Sequence, residues 1–288
     1  MPAQPAPAAA LPNRPPSMLN GAMRVFDLSI GQMLWSRRTI FLALVVAAPI
    51  ILAIVLRLLA AAGFAGGMRV GGSPVQAGGS IFGIFIWLLY LRFIVPVLGV
   101  FYGTALIADE VEDRTITYLF TRPITRGTVV LGKYLAYLAA TVLVVLPSVM
   151  AVYFLVVPIG TGNLASSFPA LLVDLGLIGL GLAAYGSLFA WVGAQFKYPL
   201  VTGLVFAFGW EQGILLVPGY LKRLTIAYYI QGLAPHAMPQ DNALSILLSV
   251  TKDSPSMLAC LFWLAVIIVG FLFLAMRTVE RREYVLEQ

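Results

Sequence analysis

Charge is what this chain has least of. Asp, Glu, Lys and Arg make up 10% of its 288 residues, against about 25% in an ordinary soluble domain. So few charges cannot cover a water-exposed surface, which excludes a soluble enzyme and a free nucleic-acid binder. Cysteine and histidine are scarcer still, with Cys260 and His236 each alone in the sequence. One cysteine forms no disulfide within a chain, and one of each leaves no Cys/His cluster for a metal. No Ser/His or metal constellation remains to carry catalysis, so the sequence points away from an enzyme.

What the chain has instead is apolar length. Sixty per cent of it is hydrophobic, and mean hydropathy is +0.94. A bilayer core about 30 Å thick takes roughly 20 apolar residues in a helix. Six runs meet this, at about 40–62, 81–108, 134–157, 170–194, 200–217 and 257–276. The expected fold is therefore all-α, a polytopic membrane protein with six transmembrane helices inside residues 39–276. Pro96 and Pro147 fall within spans, where neighbouring helices can satisfy the freed backbone groups. Lys and Arg then set the orientation. With the N-terminus inside, Arg57, Arg69, Lys222, Arg223 and Lys252 lie outside, Arg92 lies within a span, and the other twelve basic residues lie inside. This positive-inside bias places both termini in the cytoplasm, and it accounts for the net charge of +6 without a nucleic-acid partner.

Residues 1–17 are rich in Pro and Ala and are expected to be a disordered cytoplasmic tail. Over 18–38 the pattern turns amphipathic: Leu19, Met23, Phe26, Ile30 and Met33 recur at steps of three or four, with Arg24, Asp27, Gly31 and Gln32 between them. This predicts an interfacial helix leading into the first span. The loop 218–256 carries Tyr220, Leu221, Leu224, Ile226, Tyr228 and Tyr229. It is too apolar for plain coil and predicts one or two short interfacial or re-entrant helices on the outer side. Residues 277–288 are expected to be a cytoplasmic C-terminal tail.

One dense cluster of charge stands out. Asp109, Glu110, Glu112 and Asp113 are followed by Arg114, Thr115, Ile116, Tyr118, Leu119 and Phe120, then by Arg122, Pro123 and Arg126. Acidic residues favour the start of a helix, and Pro123 ends one, because its ring removes a donor and restricts Arg122. Residues 109–126 thus read as a short cytoplasmic helix with a charged and an apolar face. Together with Thr121, Ile124, Thr125 and Lys133, this segment resembles the signature of ABC-2 type permeases, in particular the six-span group that includes the copper-maturation and gliding-motility permeases. The resemblance implies that 109–126 is the coupling helix, which docks in a groove of a separate ATP-binding subunit. It implies two such subunits, which bind ATP and Mg while this chain binds no cofactor. It also implies a second permease copy joined through spans one and five, a cell-membrane location, and export as the favoured direction. A self-contained secondary transporter or channel is the rival reading.

That rival would rest on three ionisable residues inside spans, Arg92, Asp174 and Glu211. Such groups are costly in lipid and usually face a bundle interior or a partner. Arg92 and Glu211 lie at matching depths. They read either as the lining of a polar pathway or as a structural ion pair. Gly179, Ala183 and Ser187 on span four form a small-residue face suited to close helix packing. Residues 127–133 fit G-x-x-x-x-G-K, but Tyr134 stands where a phosphate loop needs Ser or Thr.

Overall fold

The computed structural model describes residues 18–34, 37–63, 69–70, 73–74, 78–112, 126–160, 162–214, 220–234 and 256–281. The expected N-terminal tail, His236, most of the 109–126 segment and the C-terminal residues from 282 on lie outside them. Within the described residues the fold is all-α, with one two-residue antiparallel pair. In that pair β1 (Arg69–Val70) meets β2 (Ser73–Pro74), Arg69 opposite Pro74.

The helices are α1 (Met18–Leu34), α2 (Arg37–Ala61), α3 (78–112), α4 (Arg126–Val156), α5 (Leu164–Gln195), α6 (199–214), α7 (Ile226–Leu233) and α8 (Met257–Arg281). Five helices are long and apolar enough to cross a membrane: Thr39–Ala61, Gly78–Ala108, Arg126–Val156, Leu164–Gln195 and Met257–Arg281. Of the six expected spans, the fifth is the exception. Its helix α6 is described only to Ile214 and is the shortest of the set. The helices also outrun the apolar windows that announced them. For example, α4 starts at Arg126 rather than near 134, and α8 continues to Arg281. Hydropathy registers the part that needs lipid, whereas backbone hydrogen bonding carries a helix on into the interface.

Local chemistry sets several helix ends. Gly63 follows α2 with φ +86, and its N–H donates to the Ala60 carbonyl, a left-handed helix stop that glycine adopts without strain. Asn163 caps α5, its side chain accepting from the Ala165 N–H at 2.9 Å. Thr39 Oγ1 donates to the Met33 carbonyl at 2.6 Å across the break between α1 and α2.

The core is held by tyrosines that tie one helix to the backbone of another. In the α4–α5 crossing Tyr134 and Tyr137 donate to the carbonyls of Ala183 and Leu182, both at 2.9 Å, and Tyr153 donates to Leu164. These contacts make the two helices antiparallel. Tyr90 of α3 bonds Ser148 of α4, and Ser148 reaches the Val46 carbonyl of α2. Such bonds stabilise a helix bundle in lipid where apolar burial contributes little, typically by about 0.6–2 kcal/mol each.

The structure decides two packed faces that the sequence left open. On α1 the face against the bundle is Ala22, Val25 and Ser29, all buried, while Met23 is 57% exposed. Ala22 and Val25 sit against Gly132 of α4. Small residues permit the close approach, so part of the large apolar stripe faces away from the bundle. On α5, Gly179 has nothing within 4 Å of where a Cβ would stand. Ala183 and Ser187 are buried, and the close approach also runs through Gly186, packed on the Tyr137 ring, and Gly193, packed on the Thr104 backbone of α3. The right helix was identified, but its packed face is set by its neighbours.

Candidate functional site: a buried polar cluster between α3, α5, α6 and α7

Two helices depart from α geometry where they meet. Phe85–Ile94 and Gly99–Gly103 of α3 are π-helical, and so is Val205–Trp210 of α6. π turns are rare and concentrate at functional sites. Here they bring Arg92 and Phe93 of α3 against Gln212 and Phe208 of α6. Arg92 Nε donates to Gln212 Oε1 at 2.7 Å, and Gln212 Nε2 donates back to the Arg92 carbonyl at 3.0 Å. The Arg92 guanidinium also lies over the Trp87 ring, 4.8 Å from its centroid. Phe93 and Phe208 have ring centroids 6.1 Å apart.

Glu211 lies beside Gln212 but faces another way. Only 1% of it is exposed. Its Oε1 accepts from the Ile226 N–H at 2.9 Å, and its Oε2 accepts from the Ala227 N–H and the Tyr185 hydroxyl, each at 3.1 Å. Ile226 and Ala227 open α7, whose N-cap is Thr225, with Oγ1 accepting from Tyr228 N–H at 3.3 Å. The carboxylate thus closes the free amides of a helix N-terminus, where the dipole also favours a negative charge. Such charge-assisted bonds are about twice as strong as neutral ones. The Arg92–Glu211 ion pair considered from sequence is not formed: Gln212 takes the arginine, and α7 with Tyr185 takes the glutamate.

Asp174 is fully buried in α5, but it lies eleven residues before Tyr185, about 16 Å away along the helix. The structure brings Arg92 and Glu211 into one cluster through the adjacent Gln212. Sequence reasoning missed Gln212, Tyr185, Trp87 and Thr225, because only ionisable groups were weighed. A Glu-Gln pair inside an apolar run was the available signal.

Of the residues expected to couple to an ATP-binding subunit, Asp109, Glu110 and Glu112 lie on the last turns of α3, and Arg126 opens α4. Asp113, Arg114, Thr115, Tyr118, Leu119, Phe120, Arg122 and Pro123 lie outside the described residues. The G-x-x-x-x-G-K match, 127–133, is continuous helix within α4, the wrong backbone for a phosphate loop. Among the described residues no three His, Cys, Asp or Glu side chains group as a metal site would require.

Pairing is directly testable here. Arg92→Ala and Gln212→Ala are expected to be strongly non-additive in a double-mutant cycle of thermal stability in detergent, with a coupling of about 1–2 kcal/mol. The Arg92→Ala with Glu211→Ala cycle should give a smaller coupling. The reverse ranking would contradict the partner assignment.

A bundle of long apolar helices with a buried polar cluster between them defines a multi-pass membrane protein. The chain matches the model of the ABC-2 family transporter proteins over residues 37–283, and it belongs to that family. The match begins at α2, leaving α1 outside it, and it supports no particular subgroup, the copper-maturation and gliding-motility permeases included. No curated protein matches the chain. Membership makes it a membrane permease of an ABC transporter, located in the cell membrane, of a kind that associates with an ABC ATP-binding subunit and generally lacks an ATPase site of its own.

Proposed function

We propose that this chain is the transmembrane half of an ABC exporter. Two permease copies combine with two ATP-binding subunits, and residues 109–126 dock on those subunits. Both termini face the cytoplasm. The observation that carries the reading is the family match over 37–283. The helix ends add to it: α3 runs on to Glu112 and α4 resumes at Arg126, so the charged segment links two helices of the bundle. Closure of the ATP-binding subunits on nucleotide would push that segment. Motion would then pass along α3, which carries the π-helical stretch and Arg92.

The secondary-transporter reading loses its main support. A proton or ion relay needs groups free to exchange partners, yet Glu211 is engaged by Ile226, Ala227 and Tyr185, and Arg92 by Gln212.

The test is the double variant Arg114→Glu with Arg122→Glu. Reconstituted with its ATP-binding subunit in proteoliposomes, it should lose most of the permease-dependent stimulation of ATP turnover. It should insert normally, because the remaining cytoplasmic Lys and Arg still orient the chain. Undiminished stimulation in the double variant would remove the docking role.

A further inference from the structure

Arg92 lies near the middle of the Gly78–Ala108 apolar stretch. A guanidinium at that depth costs about 2.5–3.5 kcal/mol even on the mildest insertion scale, and it is retained where it faces a partner, a cavity or a ligand. The contacts of Arg92 within the described residues are few. Its Nε serves Gln212, and its plane lies over Trp87. The N–H groups on its two terminal nitrogens find no acceptor among the described residues. The Glu211 carboxylate, beside Gln212, is filled by Ile226, Ala227 and Tyr185.

The side chain is only half-buried, at the contact between α3 and α6. That face is aromatic. Phe93, next to Arg92 in the chain, is 49% exposed and Phe208 is 40% exposed, and their rings stand together. Gln212 and Trp87 hold the head from two sides, so the fork is pre-oriented rather than free to swing. A planar fork of this kind matches a carboxylate or phosphate through two parallel bonds. The flanking rings match an apolar body. Both helices are π-helical at this place, an arrangement that recurs at functional sites.

We infer that Arg92, Trp87, Phe93, Phe208 and Gln212 form a substrate site for an anionic amphiphile, with its carboxylate or phosphate on the Arg92 terminal nitrogens and its apolar body along Phe93 and Phe208. This rests on the permease reading for the word substrate; the binding itself does not.

The test titrates dodecyl phosphate, and separately dodecanol of the same chain length, into the purified chain in maltoside detergent. Intrinsic tryptophan fluorescence is followed, with Trp87→Phe identifying the reporting residue. Dodecyl phosphate should give a saturable change that dodecanol does not. Arg92→Gln should weaken it about tenfold or more, the loss of one bidentate charge-assisted contact. Arg92→Lys, which keeps the charge but not the fork, should fall between. Thermal melting of each variant confirms that it is folded, and Phe208→Ala should weaken binding without touching the charge.

Equal responses to the phosphate and the alcohol, or an unchanged affinity in folded Arg92→Gln, would overturn the site. A loss of dimer in Arg92→Gln with no change in binding would assign the guanidinium to a second copy, and also overturn it. Saturable binding that never alters ATP turnover in the reconstituted complex would make the amphiphile a structural lipid and overturn the substrate assignment. Because binding is read on the chain alone, its failure leaves the Arg114/Arg122 result untouched.

Discussion

Replacing Glu211 with alanine should cost this protein on the order of 3–5 kcal/mol, because it strands three buried donors at once and each unmet buried group costs about 1–3 kcal/mol. The Ile226 and Ala227 amides and the Tyr185 hydroxyl all lose their acceptor. In thermal unfolding followed in detergent the midpoint should drop by roughly 10 °C. Glu211→Gln keeps the shape and one acceptor oxygen but loses the charge that the α7 N-terminus favours, so it should fall between wild type and alanine. The damage should also be local. Amide exchange over Ile226–Leu233 should accelerate before the rest of the bundle responds, since Glu211 pins α7 to α6. An alanine variant as stable as wild type, with exchange at Ile226 and Ala227 unchanged, would show that the carboxylate is not what holds this helix.

Gly193→Leu should be severely damaging to the packing of the transmembrane core. A Cβ at Gly193 would collide with the Thr104 carbonyl and stand 3.0 Å from Thr104 Cα. The obstacle is backbone, which cannot rotate away as a side chain can. Helices α3 and α5 would have to separate. The packing of Gly99 on Tyr185 and Gly103 on Phe189, where the corresponding approaches are 2.8 and 2.9 Å, would open with them. Overpacking costs typically about 1–3 kcal/mol and occasionally more, and this case belongs at or above the top of that range. Loss of the monodisperse peak in size-exclusion chromatography is the expected readout. Gly176→Leu on the same helix is the control, because nothing lies within 4 Å of its Cβ position and it should be tolerated. Similar losses from both substitutions would mean that bulk on α5, rather than the Thr104 contact, is responsible.

The sequence by itself determined the solvent and the secondary structure. With so few charges and such long apolar runs, the chain has to form helices, because a lipid-exposed backbone must satisfy its own hydrogen bonds. That argument placed most of the transmembrane helices, and it placed Arg92 and Glu211 at one depth. It also marked 109–126 as the charged link between α3 and α4, although the side chains of that link lie outside the described residues. What only the tertiary structure decided is which partner each polar group meets. Depth along a helix follows from counting residues, but direction around it depends on helix geometry and on neighbours. Adjacent residues on a helix point about 100° apart, so Glu211 and Gln212 serve different elements: one closes the α7 N-terminus and the other holds Arg92. The π-helical stretches change that direction again, and no hydropathy pattern registers them. For the same reason the small residues of α1 and α5 could be seen in the sequence while their packed faces could not, since contact depends on what the neighbouring helices place opposite.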